Sequence, residues 1–185
     1  MGRKLLKGES GQALVEFSMV AVSLIVFTLG IVDFGRAIYD VEVMKNLVGE
    51  GSSMASRGSE ANLASYAQTV VNDGGNDLSL STKGCVIITV VTNEGGTPPT
   101  LTITGQAKNC GISATSKVGC LQGVNGCQSS NPTLPTYAST ALGDEPTGSS
   151  MAVTEIYYNF SPITPITTLL GSAAVPSQFY SVAYY

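Results

Sequence analysis

The sequence lacks histidine and tryptophan altogether and carries few charged side chains, which make up 12% of its 185 residues. Without histidine, the chain has no Ser-His-Asp or Cys-His nucleophile system and no imidazole to bind a metal ion. Thirteen acidic against nine basic residues give a net charge of −4, the wrong sign for binding the phosphates of nucleic acid. We therefore expect no enzymatic activity, no cofactor and no nucleic-acid partner.

The carboxylates best suited to catalysis are Asp144, Glu145 and Glu155, and they form no pair at a spacing typical of acid–base chemistry. The first two lie in a stretch rich in proline and glycine. Glu155 alternates with Val153 and Tyr157, so we interpret it as a solvated or paired residue of a strand.

One long apolar run follows a short basic stretch at the start of the chain. Residues 12–32 contain a single charge, Glu16, whereas residues 1–11 carry three basic residues against one acidic residue. As a helix with a rise of ~1.5 Å per residue, this run spans about 30 Å, the thickness of a hydrocarbon core. The basic flank before it predicts a membrane helix with its N-terminus in the cytoplasm. A buried helix of a soluble domain is the alternative.

Apolar periodicity continues beyond this run. Residues at steps of three and four form one stripe from Phe34 to Val48, while Asp33, Arg36 and Asp40 share another face and are close enough to pair. We expect one helix from about residue 12 to about residue 55 and a short second helix over residues 60–72. Residues 33–72 are thus interpreted as a continuing amphipathic helix followed by a short second helix.

Residues 78–185 are interpreted as an exported, β-rich domain. Strands are expected at residues 86–92, 100–104, 151–160 and 178–185, where β-branched or alternating residues dominate. The stretch 111–150 is rich in glycine, serine, asparagine and proline and has little periodicity, which predicts a long surface loop. The expected fold class is α+β, with a long N-terminal transmembrane and amphipathic helix followed by a small disulfide-bonded antiparallel sheet.

The four cysteines all follow the apolar run, on the side expected to be outside the cytoplasm. An even number in an exported domain predicts two disulfides. A zinc site is the alternative, but the CxxC spacing typical of zinc knuckles is missing.

The first two strands predict how the cysteines pair. If a turn is centred between Thr97 and Pro98, residues whose numbers sum to 195 lie opposite each other. Cys85 and Cys110 satisfy this sum. The Cα atoms of directly opposed residues lie ~4.5–5.5 Å apart, which is within the range of a disulfide. We predict Cys85–Cys110, which leaves Cys120–Cys127 to close a small loop, although three connectivities are possible in principle.

Aromatic residues are concentrated in the last two expected strands. They form either the core of the sheet, which is the default interpretation for buried aromatic residues, or an adhesive surface. The residues concerned are Tyr157, Tyr158, Phe160, Phe179, Tyr180, Tyr184 and Tyr185.

The most distinctive pattern is Gly11, then four residues, then Glu16 and Phe17 at the start of the apolar run. With residues 30–39 (GIVDFGRAIY) and the small residues that follow, it resembles the N-terminus of TadE-like proteins, the minor pilins or pseudopilins of the tight-adherence (Tad) branch of type IV pili. Residues 153–169, which include a Thr-Pro turn, are similar to the family's C-terminal strand. Residues 75–150 show no such resemblance.

The resemblance implies a pilin-like fold and a processed structural protein. Residues 1–11 would be a basic prepilin leader, which a prepilin peptidase removes by cutting between Gly11 and Gln12. Residues 12–32 would be a transmembrane and assembly helix, in which Glu16 and the adjacent Phe17 serve assembly, Glu16 by meeting the new α-amino group of a neighbouring subunit. The implied partners are other pilin subunits, in a filament or a minor-pilin complex, the prepilin peptidase, the membrane and the inner-membrane assembly platform.

The expected function is that of a minor pilin or pseudopilin that enters, or primes assembly of, a Tad-type pilus for surface adhesion. It would reside in the bacterial inner membrane with its N-terminus in the cytoplasm, and at the cell surface after assembly. An uncut, single-pass envelope protein with an extracytoplasmic interaction domain is one alternative. A secreted protein cut by signal peptidase after Ala37 is another, and mature N-termini at Gln12, Met1 or Ile38 distinguish the three.

Overall fold

A computed structural model of the protein describes residues 9–75, 77–120, 127, 129–165 and 176–185. Residues 1–8 of the expected leader, most of residues 121–128, and residues 166–169 of the segment similar to the family's C-terminal strand lie outside the described residues. The chain divides into two compact units. One comprises residues 1–38 and 161–176, and the other comprises residues 39–160 and 177–185.

The described residues form a long helix, three shorter helices and one sheet. The helices are α1 (Glu9–Arg57), α2 (Leu63–Asp73), α3 (Leu80–Lys83) and α4 (Thr136–Asp144), and a 3-10 turn at Glu60–Asn62 precedes α2. The strands are β1 (Gly84–Asn93), β2 (Leu101–Cys110), β3 (Ser129–Ser130), β4 (Ser150–Asn159) and β5 (Gln178–Tyr184), in the order β3-β2-β1-β4-β5. All neighbouring strands are antiparallel. The expected fold class is therefore confirmed.

Helix α1 continues through Gly49 and Gly51 near its C-terminal end, although glycine lowers intrinsic helix stability by about 1 kcal/mol relative to alanine. It begins three residues earlier and ends two residues later than expected. At Gly51, a Cβ would lie 3.0 Å from the Thr154 side chain and 3.1 Å from that of Val70. The glycine thus allows the helix backbone to approach β4 and α2 closely, and this packing offsets its low helix propensity.

The C-terminal part of α1 and helix α2 cover one face of the sheet. The buried Ser52 hydroxyl accepts a hydrogen bond from the Thr154 backbone N–H at 3.2 Å and donates one to the Ala183 carbonyl at 3.0 Å. The side chain of Asn109 on β2 donates to that of Gln68 on α2 at 2.6 Å. These bonds attach both helices to three of the five strands.

The stretch expected to be a long surface loop lies on the other face of the sheet, and its described residues include a helix and a short strand that this expectation did not contain. Residues 111–150 contain β3 and α4, and they bury Val118, Cys127 and Leu142 against β1, β2 and β4. Ile112 packs on a second cluster around Cys85. The apolar residues of this stretch are too widely spaced to produce a periodic pattern. The sequence therefore did not indicate that the stretch packs on the sheet.

The sequence of strand β1 indicates that both faces of the sheet are covered. Nine of its ten residues are buried, and its sequence Cys85–Val91 is almost continuously apolar rather than alternating. Such a run is typical of a strand buried on both sides. On the face of the sheet that residues 111–150 cover, the Asn93 side chain donates to the Leu142 carbonyl at 3.1 Å and to the Glu145 carbonyl at 2.9 Å. These bonds attach the end of α4 to the sheet.

The register of the first hairpin has the expected sum of 195 from Cys85↔Cys110 to Val90↔Gly105. Between Val90 and Val91 the register then shifts, so that Val91 pairs with Ile103. This one-residue bulge lies between the turn and the disulfide. The structure has the disulfides Cys85–Cys110 and Cys120–Cys127, which leaves no cysteine thiol in the described residues to bind zinc.

The two disulfides should differ in their contribution to stability. Loss of Cys85–Cys110, by Cys85→Ser with Cys110→Ser, should lower the free energy of unfolding by about 3 kcal/mol, because it opens the longer loop. Its sequence separation is 25, against 7 for Cys120–Cys127. The matched double variant of Cys120 and Cys127 should lose about 1 kcal/mol less. Denaturant unfolding of the full chain in detergent measures both, and a larger loss for the shorter loop would contradict this prediction.

Candidate functional site

The expected processing site lies in the first turn of α1. Gly11 and Gln12 are exposed and helical, and the space around Gly11 is open, since a Cβ there would have no neighbour within 4 Å. The first four N–H groups of a helix have no intrahelical acceptor, so this turn is the one most easily opened. A peptidase that needs an extended substrate would therefore disrupt few hydrogen bonds at this position.

Glu16 lies one turn further along the same face of the helix. Its carboxylate Oε1 accepts a hydrogen bond from the Gln12 side-chain amide at 3.1 Å, and both side chains are exposed. Within the described part of the chain, Glu16 has no cationic partner. A single neutral donor leaves most of the hydrogen-bonding capacity of the carboxylate available to another group.

The helix around Glu16 presents apolar side chains in every direction. Phe17, beside Glu16, is 73% exposed, and the apolar part of α1 is the one helix among the described residues that is long and apolar enough to cross a membrane. A helix that is apolar on all sides requires a membrane or other helices around it. The other large exposed apolar residues of this run are Leu14, Val15, Met19, Val20, Val22, Leu24, Ile25, Phe27, Ile31 and Val32.

The end of the apolar run carries a second carboxylate, which, unlike Glu16, is buried. Asp33 is 1% exposed and accepts hydrogen bonds from the Ile163 N–H at 3.0 Å, the Thr164 N–H at 3.4 Å and the Thr164 hydroxyl. The charge of Arg36 further stabilises the ionised form of this carboxylate. The sequence predicted a pairing within the helix but did not indicate Thr164, because 131 residues separate it from Asp33.

Glu155 is completely buried on β4, so of the two roles expected for it, a solvated or a paired strand residue, the structure excludes the solvated one. It accepts hydrogen bonds from the Lys117 N–H at 2.8 Å, the Tyr180 hydroxyl at 3.0 Å, the Tyr157 hydroxyl at 3.3 Å and the Ser116 hydroxyl. Burial, followed by the charge of Glu155, raises the pKa of both tyrosines far above the ordinary value, so they stay protonated as donors. The carboxylate thereby holds the 116–117 segment on the sheet and is inaccessible to any substrate.

Asp144 and Glu145, the other two carboxylates considered for catalysis, are exposed at the end of α4. Among the described residues, no group of three or more histidine, cysteine, aspartate and glutamate side chains is arranged to hold a metal ion. These residues thus assemble no recognisable catalytic or metal site.

Most of the aromatic residues in the last two strands belong to the core. Tyr157, Tyr158 and Phe160 are buried, and Phe179, Tyr180 and Tyr184 are half-buried. In these strands Tyr185 is strongly exposed, at 65%. Tyr137 on α4 is also strongly exposed, at 68%, and its ring contacts Tyr184 edge to face.

Removing the buried carboxylate should destabilise the fold. Glu155→Ala leaves three donors without an acceptor, since the Tyr157 hydroxyl still has the Thr115 carbonyl at 2.6 Å. We therefore expect the free energy of unfolding to fall by about 3 kcal/mol or more. The matched control is Glu94→Ala, because Glu94 is exposed and accepts one hydrogen bond from Thr102. That variant should change stability by about 0.5 kcal/mol or less. Equal losses for the two variants, measured by denaturant unfolding, would contradict the assigned role of Glu155.

Residues 11–53 match the family model described as TadE-like protein. The match covers the apolar run and most of the remainder of α1, so the resemblance recognised from Gly11, Glu16 and Phe17 is confirmed over that segment. The sheet lies outside it. The match suggests involvement in a Tad pilus. No curated protein and no solved structure matches the chain.

Proposed function

We propose that this protein is a structural minor pilin or pseudopilin of a Tad-type pilus, which enters the filament or primes its assembly for adhesion to surfaces. The observation that carries this proposal is the exposed carboxylate of Glu16, the single charge in the apolar run 12–32, on a part of α1 whose apolar surface is uncovered. The match of residues 11–53 to TadE-like proteins supports it.

Processing would create a cationic partner for Glu16. Hydrolysis of the Gly11–Gln12 amide by a prepilin peptidase adds water, leaves a carboxylate on Gly11 with the basic leader, and frees an α-amino group on Gln12. This group is largely cationic near neutral pH. Before the cut no such cation exists at this position, so removal of the leader would switch on assembly.

The new cation and Glu16 of a neighbouring subunit would then neutralise each other. Within one chain, Gln12 and Glu16 are about 6 Å apart along the helix axis, whereas a neighbour can bring its amine into direct contact. Helix packing in a filament would also cover Leu14 and Phe17, which are 70% and 73% exposed in the single chain. Removing one partner of an ion pair in such an apolar bundle costs about 3–5 kcal/mol, enough to select the correct register.

The rest of the chain would form the exported part of the subunit. Its two disulfides are compatible with an oxidising compartment outside the cytoplasm. The proposed route begins in the bacterial inner membrane with the N-terminus in the cytoplasm and ends at the pilus on the cell surface. Along this route the partners would be the prepilin peptidase, the inner-membrane assembly platform and other pilin subunits.

An uncut membrane anchor is the second candidate function. The same helix, with Glu16 near its cytoplasmic end, could hold an extracytoplasmic interaction domain at the membrane without entering a filament. The hydrogen bond from Gln12 to Glu16 favours this candidate, because it gives the carboxylate a partner within its own chain.

Substitution of Glu16 separates the two candidates. In the pilin account, Glu16→Gln should reduce incorporation into surface filaments at least tenfold, because the amide cannot neutralise a neighbour's amine. The matched control is Glu50→Gln, which removes an exposed carboxylate from the same helix beyond the apolar run. Immunoblots of sheared filaments, normalised to the amount in the membrane, measure incorporation. Normal incorporation of Glu16→Gln would contradict the proposal.

A further inference from the structure

The hydrogen bonds of Asp33 fix a short loop at the end of the membrane helix. We call residues 161–165, Ser-Pro-Ile-Thr-Pro, the interfacial loop. Its Ile163 and Thr164 donate both backbone N–H groups and the Thr164 hydroxyl to the Asp33 carboxylate. Since these residues and the helix up to Ile38 belong to the same compact unit, the contact is internal to that unit.

The position of Asp33 sets the depth of this loop. Asp33 directly follows the apolar run 12–32, whose helical length of about 30 Å equals the hydrocarbon thickness. The Ile163 nitrogen is 3.0 Å from its Oδ1 atom, so the loop backbone lies at the outer boundary of the hydrocarbon core. Three large apolar side chains at this level are strongly exposed, Ile31 at 71%, Phe34 at 70% and Ile163 at 66%.

The chemistry of the loop fits the lipid boundary. Residues 161–176 contain no charged side chain. Pro162 and Pro165 have no N–H, and the N–H groups of the two residues between them are already bonded to Asp33. Backbone donors that are satisfied internally remove the main penalty for moving a non-helical segment out of water. Transfer of the exposed Ile163 side chain from water into lipid is favourable, because it removes apolar surface from water.

We propose that the interfacial loop is a second membrane contact, in which Asp33 holds the Ile163 side chain in the boundary between headgroups and acyl chains of the outer leaflet. The occupant of this surface is lipid, because the loop adjoins the membrane run directly. This inference rests on the membrane-spanning helix of the proposed function. It adds that the subunit must release both the helix and this loop from lipid when it leaves the membrane.

The absence of tryptophan from the chain allows a direct test. Ile163→Trp introduces the sole indole, whose depth is measured in phosphatidylcholine–phosphatidylglycerol vesicles with lipids that carry a spin-label quencher near the top of the acyl chain. We expect the fluorescence to fall at least twofold, and iodide in the water to quench weakly. Ile31→Trp, which places the indole within the helix run, is the reference for lipid contact and should also be quenched.

The role of Asp33 is tested in the Ile163→Trp protein. Adding Asp33→Ala removes all three acceptor contacts, and adding Thr164→Val removes only the hydroxyl. We expect lipid quenching to weaken at least twofold with Asp33→Ala and to a smaller degree with Thr164→Val. Circular dichroism of both variants identifies any loss of fold. Unchanged quenching in a folded Asp33→Ala variant would overturn the assignment of Asp33 as the residue that holds the loop in lipid.

The reference variant separates failure of this inference from failure of the proposed function. If Ile31→Trp is quenched by lipid and Ile163→Trp only by iodide, the helix spans the membrane and the interfacial loop does not contact it, which overturns the inference. Protection of Ile163→Trp in filaments alone would also overturn it, since a neighbouring subunit would then be the occupant. If neither indole is quenched by lipid, the membrane helix itself is wrong.

Discussion

A negative charge within an apolar helix is the constraint on which the functional account depends. Glu16 is the single charge in a run of 21 residues, and the side chains around it, Phe17 among them, are left uncovered. A carboxylate near the end of such a run can be tolerated by reaching the membrane surface, but it becomes favourable only when a cation reaches it. Cleavage before Gln12 would supply that cation on a neighbouring subunit, so one proteolytic step would change both the charge balance and the assembly state.

The sequence predicted the features that depend on local patterns. The length and polarity of residues 12–32, the amphipathic stripe that follows, and the opposition of Cys85 and Cys110 all arise from neighbours in the chain or across one turn. The bulge between Val90 and Val91 moved the register by one residue, but only on the turn side of the disulfide. Periodicity and turn geometry are therefore sufficient for the helix and the first hairpin.

Contacts between distant residues could not be predicted in this way. Asp33 finds its donors at residues 163–164, and Glu155 finds two of its donors in a stretch that has no periodic pattern. In both cases a buried carboxylate fixes an irregular segment by accepting its N–H and hydroxyl groups, which is how a segment without regular structure satisfies its buried polar atoms. A buried acidic residue in an otherwise apolar strand or helix is the sequence signal for such a segment, although it does not identify the donors.

The central claim is that the protein works after loss of its basic leader, with the amine of Gln12 as the counter-charge of Glu16. Mass spectrometry of the N-terminal peptide from purified surface filaments tests it most directly. The account predicts that the chain in filaments begins at Gln12. Recovery of the protein in filaments with residues 1–11 still attached, or its presence in the membrane only as the uncut form, would contradict it.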